Sequence, residues 1–295
     1  MPPVEHRFLH DGLRVAAVEW GDPGGVPLLA LHGWLDNCGS FAPLGRLLRG
    51  VRLIALDLPG HGHSSHRAAD GTYNIWQDVG VVHSVAEQLD WPRFALLGHS
   101  RGAMVCTLAA GTFPERITHL GLLDSFVPGT VSTAEQPEQL RKAIVERAAR
   151  AGREVRVYPD RDALVATRLR GPTPLSALSA LSAPDIAARG ARQTEEGWCW
   201  RSDEKLKLAS EIKLTPELVR AFVERIDCPI LLLLSDLARM SRFYGMEAHA
   251  RKLAVVEVPG GHHFHMEEPA PEVAERLEAL FTARGARYSP PALPG

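Results

Sequence analysis

A glycine-flanked serine between a predicted strand and a predicted helix constrains this chain more than any other feature. The apolar run Phe94–Leu97 is typical of a buried strand, and the run that begins at Ala103 is typical of a helix packed on a sheet. Between them stands Gly98-His99-Ser100-Arg101-Gly102, which has the spacing G-x-S-x-G. A turn this sharp strains its central residue, and the glycines let the backbone pass close to its neighbours. The pattern predicts that Ser100 is raised above the sheet, at the positive end of the following helix.

Length and composition limit the fold and the kinds of partner. A chain of 295 residues is long for one domain, although α/β folds of this length often form one. Apolar residues make up 45% and charged residues 23%, which is ordinary for a soluble globular protein. A formal net charge of −2 gives no reason to expect nucleic acid or an acidic membrane surface as a partner. The remaining expectation is a small-molecule ligand, bound by a monomer or a homodimer.

Cysteine spacing and the lengths of the apolar runs indicate the compartment. Cys38, Cys106, Cys199 and Cys228 stand far apart, so we expect reduced thiols rather than disulfides or a zinc site. The first residues lack the apolar core of a signal peptide. No apolar run approaches the roughly 20 residues that a membrane span requires. These features predict a cytoplasmic protein with no membrane span and no metal.

Strand and helix patterns alternate along most of the chain. Buried or alternating apolar runs predict eight strands, at Glu5–Leu9, Leu13–Trp20, Pro27–Leu31, Val51–Leu56, Phe94–Leu97, Ile117–Leu123, Pro229–Leu234 and Ala254–Val258. Such alternation predicts an α/β fold, with a mostly parallel sheet of about eight strands and helices on both faces.

One long segment interrupts this alternation. Between residues 126 and 226 the buried strand runs vanish, and prolines and glycines separate helical patterns. We predict a helical cap over residues 126–226, inserted into a body formed by residues 1–125 and 227–295. Within the cap, Trp198 and Trp200 have strand-like spacing and are candidates for the wall of a substrate pocket. They are equally suited to pin the cap to the body.

A serine hydroxyl becomes a nucleophile only beside a base, and a late glycine-rich loop offers one. After the last predicted strand comes Pro259-Gly260-Gly261-His262-His263-Phe264-His265. The spacing from Gly-His to the downstream Glu-x-Pro favours His262 as the base over His263 and His265.

Acyl transfer also needs donors for the developing oxyanion. The backbone N–H groups of Arg101, directly after the serine, and of Trp34, after the third predicted strand, have the expected positions. His32, Gly33 and His99 flank these positions and are further candidates for contact with substrate.

Five stretches of the chain resemble a known family. They are LHGWLDNCGSF (31–41), ALDLPGHGHSSH (55–66), LLGHSRGA (96–103), FPERITHLGLLDS (113–125) and GGHHFHMEEP (260–269). Together they resemble the α/β-hydrolase fold superfamily, and within it the serine hydrolase-like proteins. The resemblance implies an α/β-hydrolase fold and a Ser–acid–His hydrolase with a helical lid and no cofactor. Ser100 and His262 match the motif positions of the nucleophile and the base.

The resemblance leaves two candidates for the acid. Most members of the superfamily carry it a few residues after the penultimate strand, where this chain has Ala238. Asp236 stands two residues before that position. Asp124 directly follows the strand after the serine helix, which is the other known place for the acid. We expect Asp124 to orient His262, with Asp236 as the alternative.

These residues together predict a carboxylesterase-like serine hydrolase. It would cleave a small-molecule carboxylic ester through an acyl-enzyme intermediate. The same triad is compatible with hydrolysis of a C–C bond, a lactone or an amide. A ligand receptor with little turnover on the same fold is the alternative from another class.

Overall fold

A large sheet with helices on both faces forms the body of the protein. The computed structural model describes residues 2–150, 155–170, 178–236, 243 and 245–283. The strands are β1 (Val4–His10), β2 (Leu13–Gly21), β3 (Val26–Leu31), β4 (Val51–Leu56), β5 (Phe94–His99), β6 (Ile117–Leu123), β7 (Ala191–Thr194), β8 (Gly197–Trp200), β9 (Ile230–Ser235) and β10 (Leu253–Val258). The helices are α1 (Ala42–Leu47), α2 (Gln77–Gln88), α3 (Arg101–Thr112), α4 (Gln136–Arg150), α5 (Arg161–Arg170), α6 (Ala183–Gly190), α7 (Pro216–Arg225) and α8 (Ala270–Phe281).

Eight of the strands form one sheet in the order β1-β2-β4-β3-β5-β6-β9-β10. The pairs β1–β2 and β2–β4 are antiparallel, and every pair from β4 to β10 is parallel. The predicted α/β fold with a mostly parallel sheet of about eight strands is confirmed. Because parallel strands end at the same edge, the segments that follow β3, β5, β6 and β10 meet above one side of the sheet.

The side chains of the strands alternate between two cores. In β3, Leu29 and Leu31 face the layer of α2, α3 and α7, whereas Leu28 and Ala30 face the layer of α1 and α8. All four side chains are fully buried, and each buried leucine stabilises the fold by about 2 kcal/mol. Strands buried on both faces read as continuous apolar runs, which is why the sequence predicts them well.

The segment 126–226 contains one structure that the helical prediction missed. Strands β7 and β8 pair as an antiparallel hairpin between α6 and α7. This hairpin has Arg192 and Gln193 in its first strand, so it shows no buried apolar run. Among the helices that the structure describes in this segment, α7 packs on the body, because Val219 and Val223 are fully buried in the core that includes α3. The limits of the cap and body stay a prediction.

No helix within the described ranges is both long enough and apolar enough to cross a membrane.

Candidate active site

The predicted serine turn lies where β5 meets α3. Ser100 has φ 51° and ψ −116°, a strained conformation for a residue with a side chain. A β-carbon at Gly98 would lie 2.5 Å from the Cα of Ala103, and one at Gly102 would lie 1.9 Å from the carbonyl oxygen of Leu31. Both glycines are therefore required, because any side chain there would collide with backbone. The turn at Ser100 therefore depends on close backbone contacts at Gly98 and Gly102.

Sheet register brings Asp124 beside the serine. His99 pairs with Leu123 across β5 and β6, so Ser100 and Asp124 leave adjacent strands at the same level. The Asp124 side chain is fully buried. Its Oδ1 accepts a hydrogen bond of 2.8 Å from the N–H of Ser235, and its Oδ2 is hydrogen bonded to Nδ1 of His262.

The contact between Asp124 and His262 sets the tautomer of the imidazole. A carboxylate only accepts hydrogen bonds, so Nδ1 of His262 carries the hydrogen and Nε2 carries the lone pair. An imidazole in this state is ready to take a proton at Nε2. This is the arrangement that a general base beside a serine requires.

The alternative acid lies in a different environment. Asp236 is exposed, and its Oδ2 accepts a hydrogen bond of 3.0 Å from the N–H of Gly260, at the start of the histidine loop. Asp236 thus binds the backbone of the histidine loop, whereas Asp124 binds the imidazole of His262. Ala238, the position where the resemblance places the acid, lies outside the described residues.

The other two histidines of the loop have different surroundings from His262. Nε2 of His263 is 3.1 Å from Oδ2 of Asp36. The ring of His265 is fully buried, with its centroid 4.3 Å from that of His99. Burial and the neighbouring imidazoles hold the pKa of His265 well below its usual range, so this ring is neutral at physiological pH.

One cavity of about 360 Å³ contains the predicted serine, acid and base. Its lining residues are Gly33, Trp34, Asp36, His99, Ser100, Met104, Asp124, Ser125, Val127, Gly129, Arg168, Phe243, His262 and His263. Met104, Val127 and Phe243 supply an apolar part of the cavity wall. The size and the mixed lining are typical of a small-molecule site.

The two predicted oxyanion donors lie at the start of the serine helix and after β3. The backbone N–H groups of Trp34 and Arg101 donate no hydrogen bond to another residue within the described part of the chain. The Arg101 guanidinium lies 2.6 Å from the carboxylate of Asp78. The Trp34 indole N–H donates to the carbonyl oxygen of Leu206, 2.9 Å away. Both side chains are thus engaged elsewhere, and only the main-chain donors remain available.

Of the other residues predicted to contact substrate, Gly33 and His99 line the cavity and His32 does not. His32 is fully buried beneath the loop, where its Nδ1–H donates to the carbonyl oxygen of Gly33 at 2.7 Å. Its Nε2 accepts from the N–H of Leu58 at 3.0 Å. With both nitrogens occupied by backbone, His32 shapes the loop and cannot reach a ligand.

Trp198 and Trp200, predicted as candidates for a pocket wall, are not among the residues that line this cavity. The backbone of Trp198 exchanges two hydrogen bonds of 2.8 Å with Tyr158. The Trp200 indole N–H donates to the hydroxyl of Thr167 at 3.2 Å. Both tryptophans therefore join the hairpin to the segment that contains α5.

A buried charged cluster at the cavity was missed by the sequence reasoning. Asp36 is buried, and its Oδ1 is hydrogen bonded to the guanidinium of Arg168, a cap residue. Burial alone would raise the pKa of Asp36, but His263 and Arg168 hold it well below its usual range. Asp36 lies within the stretch 31–41, but nothing in the sequence indicates its partners, which are distant in the chain.

Comparisons with known proteins agree with this architecture. A family model described as the α/β hydrolase fold matches residues 26–269. A serine hydrolase-like protein of Danio rerio is 30% identical over 264 residues, which cover 85% of this chain and 80% of the relative. One from Dictyostelium discoideum is 28% identical, over 95% of this chain and 82% of the relative.

A solved structure extends the agreement to three dimensions. The crystal structure of a hypothetical protein from Pseudomonas aeruginosa PAO1 matches with a TM-score of 0.86 and 37% identity. The match covers 94% of this chain and 97% of the other. The family model covers most of the chain and the two relatives above are serine hydrolase-like proteins, so the chain belongs to the α/β-hydrolase fold family.

Proposed function

We propose that this protein hydrolyses small-molecule carboxylic esters, with Ser100 as nucleophile, His262 as base and Asp124 as the orienting acid. The observation that carries the proposal is the hydrogen bond between Asp124 and Nδ1 of His262, in the same cavity that Ser100 lines. Three groups that are distant in the chain are thereby available to one bound molecule.

The geometry of the acid and base supports the following sequence of steps. Ser100 Oγ attacks the carbonyl carbon of the ester while Nε2 of His262 takes its proton. The resulting imidazolium is stabilised by the buried Asp124 carboxylate, which remains ionised. His262 then donates the proton to the oxygen of the leaving alcohol, and the acyl group stays on Ser100. Water attacks the acyl-enzyme with His262 again as the base, which releases the acid and restores the serine.

The main-chain donors complete the mechanism. As the carbonyl becomes tetrahedral, negative charge develops on its oxygen. The N–H groups of Trp34 and Arg101, which have no partner among the described residues, are the donors that we assign to this oxyanion, each contributing roughly 10²–10³ in rate. The N-terminus of α3 adds a favourable field, because helix N-termini attract negative charge.

The cavity favours a small acyl group. A volume of about 360 Å³ lies near the lower end of the range for small-molecule sites. Its apolar wall of Met104, Val127 and Phe243 suits a short aliphatic chain better than a charged one.

Fluorophosphonate labelling and a series of p-nitrophenyl esters, from acetate to laurate, test the proposal together. We expect labelling of the wild type, none of Ser100→Ala, and hydrolysis that is fastest for the short esters. Folded protein that resists labelling would instead indicate a ligand receptor. Labelling without ester cleavage would shift the assignment to a lactone, amide or C–C bond hydrolase.

A further inference from the structure

A buried histidine nitrogen at the cavity has no hydrogen-bond partner among the described residues. Nε2 of His99 lies 2.9 Å from the carbonyl oxygen of His262. A carbonyl only accepts, so the hydrogen is on Nε2 and Nδ1 carries a lone pair. Nδ1 is 3.7 Å from Oδ2 of Asp36, too far for a hydrogen bond. Two electron-pair donors therefore face each other in a buried site, which a cation between them would stabilise.

A third donor points to the same place. Nε2 of His263 lies 3.1 Å from Oδ2 of Asp36, and the donor atoms of all three residues lie within 4.8 Å of one another. Tetrahedral zinc, with nitrogen and oxygen ligands at about 2.1 Å, places its ligand atoms about 3.4 Å apart. The two separations to Asp36, 3.7 and 3.1 Å, lie on either side of that value. The two histidine nitrogens, which are at most 4.8 Å apart, must move toward the ion.

Space for an ion beside these atoms depends on a glycine. A β-carbon at Gly33 would lie 2.9 Å from Nδ1 of His99 and 3.0 Å from Oδ2 of Asp36. Because residue 33 has no side chain, this volume next to both donors stays open. It adjoins the cavity, which all three donor residues line. A water molecule or a substrate atom can therefore supply the fourth ligand.

The outer contacts of His99 and Asp36 are those that metal ligands usually have, whereas Nδ1 of His263 is buried with no hydrogen-bond partner among the described residues. Metal-binding histidines commonly donate their second ring N–H to a carbonyl, as His99 does to His262, and ligating carboxylates are themselves hydrogen bonded. Asp36 uses Oδ1 for Arg168 and Oδ2 for Nε2 of His263, and an ion would take the place of the hydrogen between Oδ2 and Nε2. His263 would bind through Nε2, with its ring hydrogen moved to Nδ1.

From these contacts we propose that Asp36, His99 and His263 bind one divalent transition-metal ion of the zinc class. The ion is no part of the hydrolytic steps. Because all three donor residues line the cavity that also contains Ser100, the bound ion and its fourth ligand take up space that the ester needs. Occupation of the site therefore inhibits hydrolysis, and this second statement rests on the proposed function.

Equilibrium dialysis of chelator-stripped protein against zinc chloride tests the binding directly. We expect one zinc ion per chain in the wild type, and binding weaker by more than about 100-fold in His263→Gln, since even outer-shell changes cost 10–100-fold. Gly33→Ala keeps all three donors but fills the space, and it should lose the ion too. His249→Gln is the matched control, because that histidine lies at the surface beside Glu224 and should bind zinc as the wild type does.

Cobalt absorption and inhibition give two further readouts. Cobalt should show visible bands of a tetrahedral site in the wild type and not in His263→Gln, and zinc should inhibit ester cleavage reversibly with a chelator. No bound zinc in the wild type at micromolar concentration, or unchanged binding in both site variants, would overturn the site. Bound zinc without inhibition would overturn the inhibitory role. Bound zinc in a protein that neither labels nor cleaves esters would refute only the proposed function.

Discussion

Replacing Asp124 by asparagine separates the two roles of this carboxylate. Its Oδ1 accepts from the N–H of Ser235 at 2.8 Å, and its Oδ2 accepts from Nδ1 of His262. An asparagine must turn its carbonyl oxygen toward the Ser235 N–H, because two donors cannot face each other. Its NH₂ group then faces His262 Nδ1 and donates to it. The imidazole hydrogen is forced onto Nε2, the nitrogen that has to accept the proton of Ser100.

The size of the effect follows from this wrong tautomer. We expect Asp124→Asn to lower kcat for a p-nitrophenyl ester by roughly 10⁴. This corresponds to about 5.5 kcal/mol of lost transition-state stabilisation. KM should change little, because the substituted group does not touch the ester. The assay is steady-state hydrolysis at neutral pH, with circular dichroism to verify the fold.

Asp236→Asn is the matched control. This exposed carboxylate accepts a hydrogen bond from the Gly260 N–H, which an amide oxygen can also accept. We expect kcat to stay within about twofold of the wild type, because the hydrogen bond from Gly260 is kept and the charge of an exposed carboxylate contributes little to it. If Asp236→Asn cripples the enzyme, or if Asp124→Asn retains more than a tenth of the activity, the tautomer argument is wrong.

Two predictions concern stability. Gly102→Ala should destabilise the fold by more than about 3 kcal/mol in urea unfolding, because the new β-carbon would lie 1.9 Å from a carbonyl oxygen of β3. Gly24→Ala is the control and should be tolerated, because its β-carbon would meet only a side-chain atom, 3.6 Å away. His61 is buried, and burial and the adjacent His32 lower its pKa well below the usual range. Below pH about 6.5 the unfolded chain therefore binds a proton at His61 that the native state does not bind, so the free energy of unfolding decreases as the pH is lowered. Between pH 7.5 and 5.5 the wild type should lose about 1.4 kcal/mol more of this free energy than His61→Gln does. If Gly102→Ala unfolds at the same urea concentration as the wild type, the first prediction is wrong. If the wild type and His61→Gln lose equal amounts of stability between pH 7.5 and 5.5, the second is wrong.

Local patterns were enough for most of the body. The runs Val51–Leu56 and Ile117–Leu123 form strands with the predicted bounds. Because these strands are buried on both faces, most of their residues are apolar, and each strand appears in the sequence as a largely apolar run. The hairpin of β7 and β8 lacks that property. Both of its strands are short and are held by cross-strand pairing. Trp198 and Trp200 give β8 a strand-like spacing, but β7 is polar and nothing in its residues separates it from a helix.

The amino-acid sequence alone determined the serine turn, the alternation of strands and helices, and the loop that carries His262. Each is encoded by neighbours in the chain, through glycines, apolar runs and short spacings. The contact between Asp124 and His262 arises only in three dimensions, where β6 lies between β5 and β9 and presents Asp124 to the imidazole. The meeting of Asp36 with His99 and His263 was equally invisible, because it joins two loops and the end of β5, whose proximity follows from strand order. Sequence spacing reports which residues share an element, whereas the order and register of the sheet decide which elements bring their side chains together.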